Sequence, residues 1–311
     1  MNKFLKYNMR EPKPGERKVS YSQFSMYSTC PKHWELAYAK NLRTFSQSIH
    51  TIFGTAFHET LQHYVTVMYE ETVTVADKID LHKLLRDNMY NLYKEAVEKM
   101  GDHFSTKFEL EEFYTDGCAI LDWFKRRRGT YFSRKNEELL GIEVPIYHPV
   151  SPNNDKIMML GYLDIVIRDK RDNKITIIDI KTSTRGWNKY QKADKTKTSQ
   201  LVLYKKYFAE QYGYDVEKIN IKYMIVKRKL IDGAMFPQKR ITDFIPASGK
   251  PTRNKLTREI DSFTENAFNK DASYNLERTY PAIAGKNNKS CQWCEFKDRY
   301  DMCPKENRIK E

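Results

Sequence analysis

The chain has 311 residues, with 54 Lys and Arg against 41 Asp and Glu, a formal net charge of +13 and a hydrophobic share of 40%. That length can bury one substantial core or two small ones, and the basic excess favours a polyanionic partner through counterion release. No apolar run is long enough to span a bilayer, the start Met1-Asn2-Lys3-Phe4 lacks the apolar core of a signal peptide, and no internal repeat is visible, so a soluble, cytoplasmic-type protein is expected.

Residues 1–20, with Pro12, Pro14 and Gly15, read as a flexible or clasping arm. Helices are predicted around 22–40, 52–70, 78–100 and 108–135, a helical subdomain placed before a sheet. In the second of these, His58 and Gln62 share a face one turn apart. On its own a helical histidine is more often a packing or surface residue than a ligand. The last helix carries Lys125-Arg126-Arg127-Arg128 flanked by Trp123, Phe124, Tyr131 and Phe132, a more specific nucleic-acid signal than net charge.

Strands are predicted near 139–148, 157–168 and 174–181. The run Ile175-Thr176-Ile177-Ile178-Asp179-Ile180-Lys181 is β-branched and follows a turn signal at Asp172-Asn173. Side chains alternate along a strand, so Asp179 and Lys181 share a face roughly 6.6 Å apart at a rise of ~3.3 Å per residue. A hairpin with the preceding strand, which contains Gly161-Tyr162-Leu163-Asp164, brings Asp164 close to Asp179. Two carboxylates and a lysine at strand ends suit metal-assisted phosphodiester hydrolysis, although a lone Asp-x-Lys triplet is common by chance. A helix over 197–211 carries Gln200 and Tyr204 one turn apart, and a strand over 219–228 completes an α-β-β-β-α-β order. Between Lys181 and Gln200 lie Trp187 and a lysine-rich stretch that includes Lys189 and Lys192; it reads equally as a path for a nucleic-acid strand and as a mobile surface loop. The segment 241–275 adds a helix.

Three of the five cysteines, Cys291, Cys294 and Cys303, crowd the end of the chain, and Cys30 lies far upstream in Ser28-Thr29-Cys30-Pro31. Without a signal peptide such a cluster reads as a metal site, and zinc is the commoner occupant of four cysteines. Cys118, in a helical run, reads as a small buried apolar group.

The order His58, Asp164, Asp179-Ile180-Lys181, Gln200-x-x-x-Tyr204 resembles the RecB-type branch of the PD-(D/E)XK nuclease superfamily, which includes the AddB nuclease domain and CRISPR-associated and phage exonucleases. The resemblance runs from Ser20-Tyr21-Ser22-Gln23-Phe24 to Cys303-Pro304. It implies an α/β, restriction-endonuclease-like core: a mixed sheet flanked by helices, with an inserted helical subdomain and a cysteine-bearing tail. It implies that His58, Asp164, Asp179 and the carbonyl of Ile180 bind Mg²⁺ or Mn²⁺. Lys181 then orients or activates water and stabilises negative charge, while Gln200 and Tyr204 position the scissile strand. Glu143 sits where some members carry an extra acid. A [4Fe–4S] cluster on Cys30, Cys291, Cys294 and Cys303 is also implied, structural in role, with zinc as the alternative.

The resulting expectation is one nuclease domain over 1–311: an N-terminal segment 1–51 with the first cysteine, a helical region 52–135, a catalytic core 136–230 and a C-terminal helix and cysteine cluster 231–311. The expected activity is metal-dependent DNA exonuclease action on single strands or ends in recombination, repair or replication, in the bacterial cytoplasm or from a phage gene. An endonuclease, a structure-specific nuclease and a non-catalytic nucleic-acid-binding subunit are the alternatives. Ser248-Gly249-Lys250 and Ala284-Gly285-Lys286 lack the rest of a Walker A loop, so any unwinding falls to a helicase partner or to fraying ends.

Overall fold

A computed structural model describes residues 7–310; Met1-Asn2-Lys3-Phe4 and the first six residues of the expected arm lie outside them. The remainder of that arm ends in a strand, β1 (Arg17–Ser20). Ser20 then caps α1 (Tyr21–Thr29), its hydroxyl accepting from the Gln23 N–H. The helix expected over 22–40 is broken here. Cys30 precedes a proline and is extended (φ −157°, ψ 102°), after which α2 (Pro31–Trp34) starts afresh with Pro31 in its first turn and runs into a π-helical turn, Glu35–Ala39.

Helix α3 (Ile49–Glu70) begins at a Ser48 cap and buries a continuous stripe from Ile49 through Phe53, Phe57, Leu61 and Tyr64 to Met68. The helix expected over 78–100 is α5 (Leu81–Met100), capped by Asp80, and a short helix that was not expected, α4 (Val73–Asp77), capped by Thr72, precedes it. A Thr106–Glu109 capping box opens α6 (Lys107–Arg127), which ends short of the expected 135.

The sheet follows with β2 (Glu137–Ser151), β3 (Asn154–Asp169) and β4 (Ile175–Ser183), then α7 (Lys189–Ala193), α8 (Lys195–Tyr212), β5 (Ile219–Lys227), β6 (Ile241–Phe244), α9 (Lys250–Ala267), and the short pair β7 (Ala282–Ile283) and β8 (Arg308–Ile309). The α-β-β-β-α-β order is therefore α3-β2-β3-β4-α8-β5. The six-stranded sheet is mixed: β2–β3, β3–β4 and β5–β6 are antiparallel, β1–β3 and β4–β5 parallel.

Its strands are apolar on both faces because helices cover both. In β5, Ile219, Ile221, Tyr223 and Ile225 join the core under α1, α8 and α9, whereas Met224 and Val226 join the core under α3, α5 and α6. In β4, Ile175 and Ile177 face the first layer and Ile178 and Ile180 the second. Asp179 and Lys181 thus fall on the α8 side by alternation.

One property of β3 positions the site. Strand β2 pairs with it along one edge for nearly its full length. On the other edge, β1 covers Ile157 to Leu160 and β4 covers Ile165 to Arg168. The stretch Gly161-Tyr162-Leu163-Asp164 falls between them, with no strand on that edge. The sheet is split at the sequence motif, and a cleft opens there.

Candidate active site

Asp164 is the last residue before β4 pairing begins, and extending the observed register places it opposite Asp179. Its side chain replaces the missing ladder, Oδ2 accepting from the Ile180 N–H at 2.7 Å. Asp179 is only 4% exposed. Its buried Oδ2 pairs with Lys181 Nζ at 2.8 Å. Lys181 Nζ also donates to Gln200 Oε1 at 3.2 Å, and Gln200 Nε2 donates to the Tyr204 hydroxyl at 3.2 Å. A polar chain therefore runs from β4 across to α8. The start of α8 is anchored by Tyr21 and Tyr223, whose hydroxyls donate to the carbonyls of Thr196 and Lys197.

His58 reaches the cleft from α3, with Nδ1 3.5 Å from Asp164 Oδ2. Burial and then the Lys181 charge push its pKa down to about 3, so the imidazole is neutral and keeps a lone pair. Burial raises the pKa of Asp164 well above the usual carboxylate value, and the proximity of Asp179 adds to the rise; Asp179 is raised by burial against the opposing pull of Lys181. For Lys181, burial acts downward but the two carboxylates outweigh it, and the net shift is upward.

The cleft, of about 850 Å³, contains His58, Asp164, Ile180, Lys181 and Tyr204 together. It also contains Glu59, Gln62 and Glu143, to which the motif gives no firm role. Gln62 Nε2 donates to Glu143 Oε1 at 2.6 Å and to the Asp164 carbonyl at 3.1 Å. Glu143 has φ +50° in mid-strand, an uncommon state for a non-glycine residue, and its side chain is exposed in the cleft. The i, i+4 pairing of His58 with Gln62 is the sequence signal that reaches this group; nothing in the sequence marks the backbone of Glu143.

The donor set suits a hard divalent ion: two desolvated carboxylates beside a neutral imidazole. A family model described as the PD-(D/E)XK nuclease superfamily matches residues 18–300. The chain belongs to that superfamily. No curated protein matches it. Membership and the mixed sheet flanked by helices agree, and membership implies a metal-dependent nuclease that acts on DNA. Among the described residues, no helix is long and apolar enough to cross a membrane.

The nuclease also brings its four remote cysteines together. Cys30, Cys291, Cys294 and Cys303 line one narrow cavity, all as free thiols. The Ile283 N–H donates to Cys30 Sγ at 3.3 Å, and the Lys32 N–H to the Pro281 carbonyl at 3.0 Å, so the end of α1 is tied to the tail. Burial raises the Cys30 pKa and pushes Cys294 up to about 11. Among the described residues, the ligand atoms gathered within 4.8 Å of one another are those of His33, Cys294 and Glu295, a set different from both the four cysteines and the acidic cleft. Cys118 is half-buried against the helical core, apart from the others.

The basic stretches of the nuclease divide. Lys125 Nζ donates to the Asp77 carbonyl, Arg128 pairs with the Asp77 carboxylate and Arg127 lies over the Trp123 ring, which leaves Arg126 exposed without such a contact. Trp187 is half-buried against Tyr223 and Phe244 rather than presented to solvent. Lys189 and Lys192 stand on α7, over the rings of Tyr190 and Phe244. The expected loop between Lys181 and Gln200 is thus partly helical.

Proposed function

We propose that this protein is a RecB-type, metal-dependent DNA exonuclease that hydrolyses single strands or DNA ends, in recombination, repair or replication, from a cytoplasmic location. The observation that carries this reading is the convergence of Asp164, Asp179, His58 and Lys181 at the split in the sheet. Two buried carboxylates beside a phosphate repel it unless a cation intervenes, so a purely DNA-binding role gives them no purpose. His58, Asp164, Asp179 and the Ile180 carbonyl would hold Mg²⁺ or Mn²⁺. When bound, the ion polarises the phosphoryl group and lowers the pKa of its water. Lys181, steered by Gln200, places an ammonium beside the reacting phosphate, where it orients water and offsets growing negative charge. Tyr204, next along the chain of contacts, holds Gln200 and borders the path of the strand.

We also infer that the four cysteines hold a [4Fe–4S] cluster joining the N-terminal segment to the tail in one domain. Support comes from the thiols framing a cavity between segments that β7, β8 and α1 already draw together. A tetrahedral zinc demands Zn–S bonds of ~2.3 Å and hence sulfurs drawn to a point. Anaerobically purified protein is expected to be brown with broad absorbance near the violet; a colourless protein with stoichiometric zinc would replace the cluster with zinc.

End-labelled single- and double-stranded DNA, digested with Mg²⁺ and with Mn²⁺, tests the activity. The expected result is progressive loss of label from ends, none in EDTA, and little attack on covalently closed circles. Rapid nicking of closed circles would favour the endonuclease, and cutting undiminished by EDTA would refute the mechanism.

A further inference from the structure

Beside the cysteine cavity, and sharing Cys291, Lys297 and Arg308 with it, lies a second pocket of about 440 Å³. Its charged lining is Lys297, Lys305, Arg308 and Lys310 against a single acid, Asp298. Lys297, Lys305 and Lys310 make no ion pair among the described residues. Arg308 is fixed in place: its guanidinium donates to the carbonyls of Lys297 and Cys303, each at 2.6 Å, and its Nε is buried with no acceptor. The Tyr300 ring lies between the two kinds of cation, 4.7 Å from Lys305 Nζ and 5.8 Å from the Arg308 guanidinium. On the turn between Cys291 and Cys294, adjoining Gln292 of the pocket wall, Trp293 is 87% exposed.

We propose that this pocket binds a backbone phosphate of single-stranded nucleic acid, with Trp293 stacking on a neighbouring base. Unpaired cations around a preset arginine suit a phosphodiester oxyanion, and an exposed tryptophan beside them suits an unstacked base more than a duplex. Charge complementarity to a polyanion, rather than area, drives the contact. The cysteine tail then holds substrate as well as closing the fold. The inference rests on the nuclease reading for the identity of its ligand, but it concerns a surface separate from the catalytic cleft.

Fluorescence anisotropy in EDTA, where nothing is cut, tests it with a labelled oligothymidylate of about twenty nucleotides and another of about four. The wild type is compared with Lys297→Ala/Lys305→Ala/Lys310→Ala and with a control of equal charge change at exposed positions of α5, Lys83→Ala/Lys94→Ala/Lys99→Ala. Losing three phosphate contacts lowers the slope of log affinity against log salt by roughly 2 for a single strand. That fall is expected for the pocket variant on the long oligonucleotide only, with the violet absorbance or metal content of the tail unchanged. Trp293→Ala should weaken binding several-fold without altering the slope. Equal slopes in all three proteins, or the same fall in the control, would overturn the proposal. Displacement of the long oligonucleotide by inorganic phosphate at equal phosphate concentration would identify a free-anion site and overturn the nucleic-acid assignment. Failure of the nuclease reading shows separately, as absence of cleavage of any oligonucleotide by the wild type with Mg²⁺ or Mn²⁺.

Discussion

A Cβ added to Gly161 would sit 2.7 Å from the Tyr204 ring and hydroxyl, closer than any side chain tolerates. The glycine lets α8 lie against the unpaired edge of β3, which keeps Gln200 within reach of Lys181. Gly161→Ala therefore has to push Tyr204 aside, at about 1–3 kcal/mol of overpacking, and cleavage should fall with stability; urea melts and nuclease rates of the variant check both. Asp164 makes a different prediction. Its pKa is raised in the folded protein, so the fold binds its proton more tightly than the unfolded chain does. Stability from this group is full below the ordinary value of 3.8 and is lost as pH rises through the window up to the raised value. In EDTA at neutral pH, Asp164→Asn should thus melt higher than the wild type while losing cleavage, and the gap should close as pH falls toward the ordinary carboxylate range. Thermal melts across that range check the sign; a lower melting temperature for Asp164→Asn at neutral pH would count against two crowded carboxylates.

Among the elements, β3, β4 and β5 were legible because burial on two faces demands apolar, β-branched runs that stand out locally. Strand β1 was not: Arg17–Ser20 is four residues with no periodicity, and it becomes a strand only by pairing with Ile157 to Leu160, far along the chain. The motif residues could be named, but the split in the sheet that exposes them arises from that remote pairing. The positive φ of Glu143 and the inward turn of Lys125 and Arg128 were likewise hidden, since both depend on partners across the fold. The helical region is fastened to the sheet by Arg228, just beyond β5, which reaches Asp116 of α6 at 2.6 Å and Glu112 at 3.1 Å and lies over the Phe113 ring. Its side chain is 10% exposed. Lys229 Nζ pairs with the same two acids, Glu112 at 2.7 Å and Asp116 at 3.0 Å, so Arg228→Ala leaves both a cation and mainly uncovers the Phe113 ring. It should still lower stability in urea denaturation, and a loss below about 0.5 kcal/mol, the usual surface value, would mean the fastening is idle.

At the scale of the molecule, the two chain segments that flank the core meet at the cysteines, and this was readable from the sequence as one remote cysteine plus a terminal trio. Which metal they would hold was not, because the same thiols suit zinc or iron–sulfur. Cys30→Ser should strip the metal and lower the melting temperature, whereas Cys118→Ser, outside the site, should leave metal content and melting nearly unchanged; metal analysis with paired thermal scans distinguishes the two. The claim on which the function rests is a divalent-ion site built from α3, β3 and β4. Calorimetric titration of Mn²⁺ into the wild type and into Asp179→Ala measures it without relying on a substrate. Binding by the wild type and its loss in the variant is the predicted result, and equal Mn²⁺ binding by the two proteins would contradict the account.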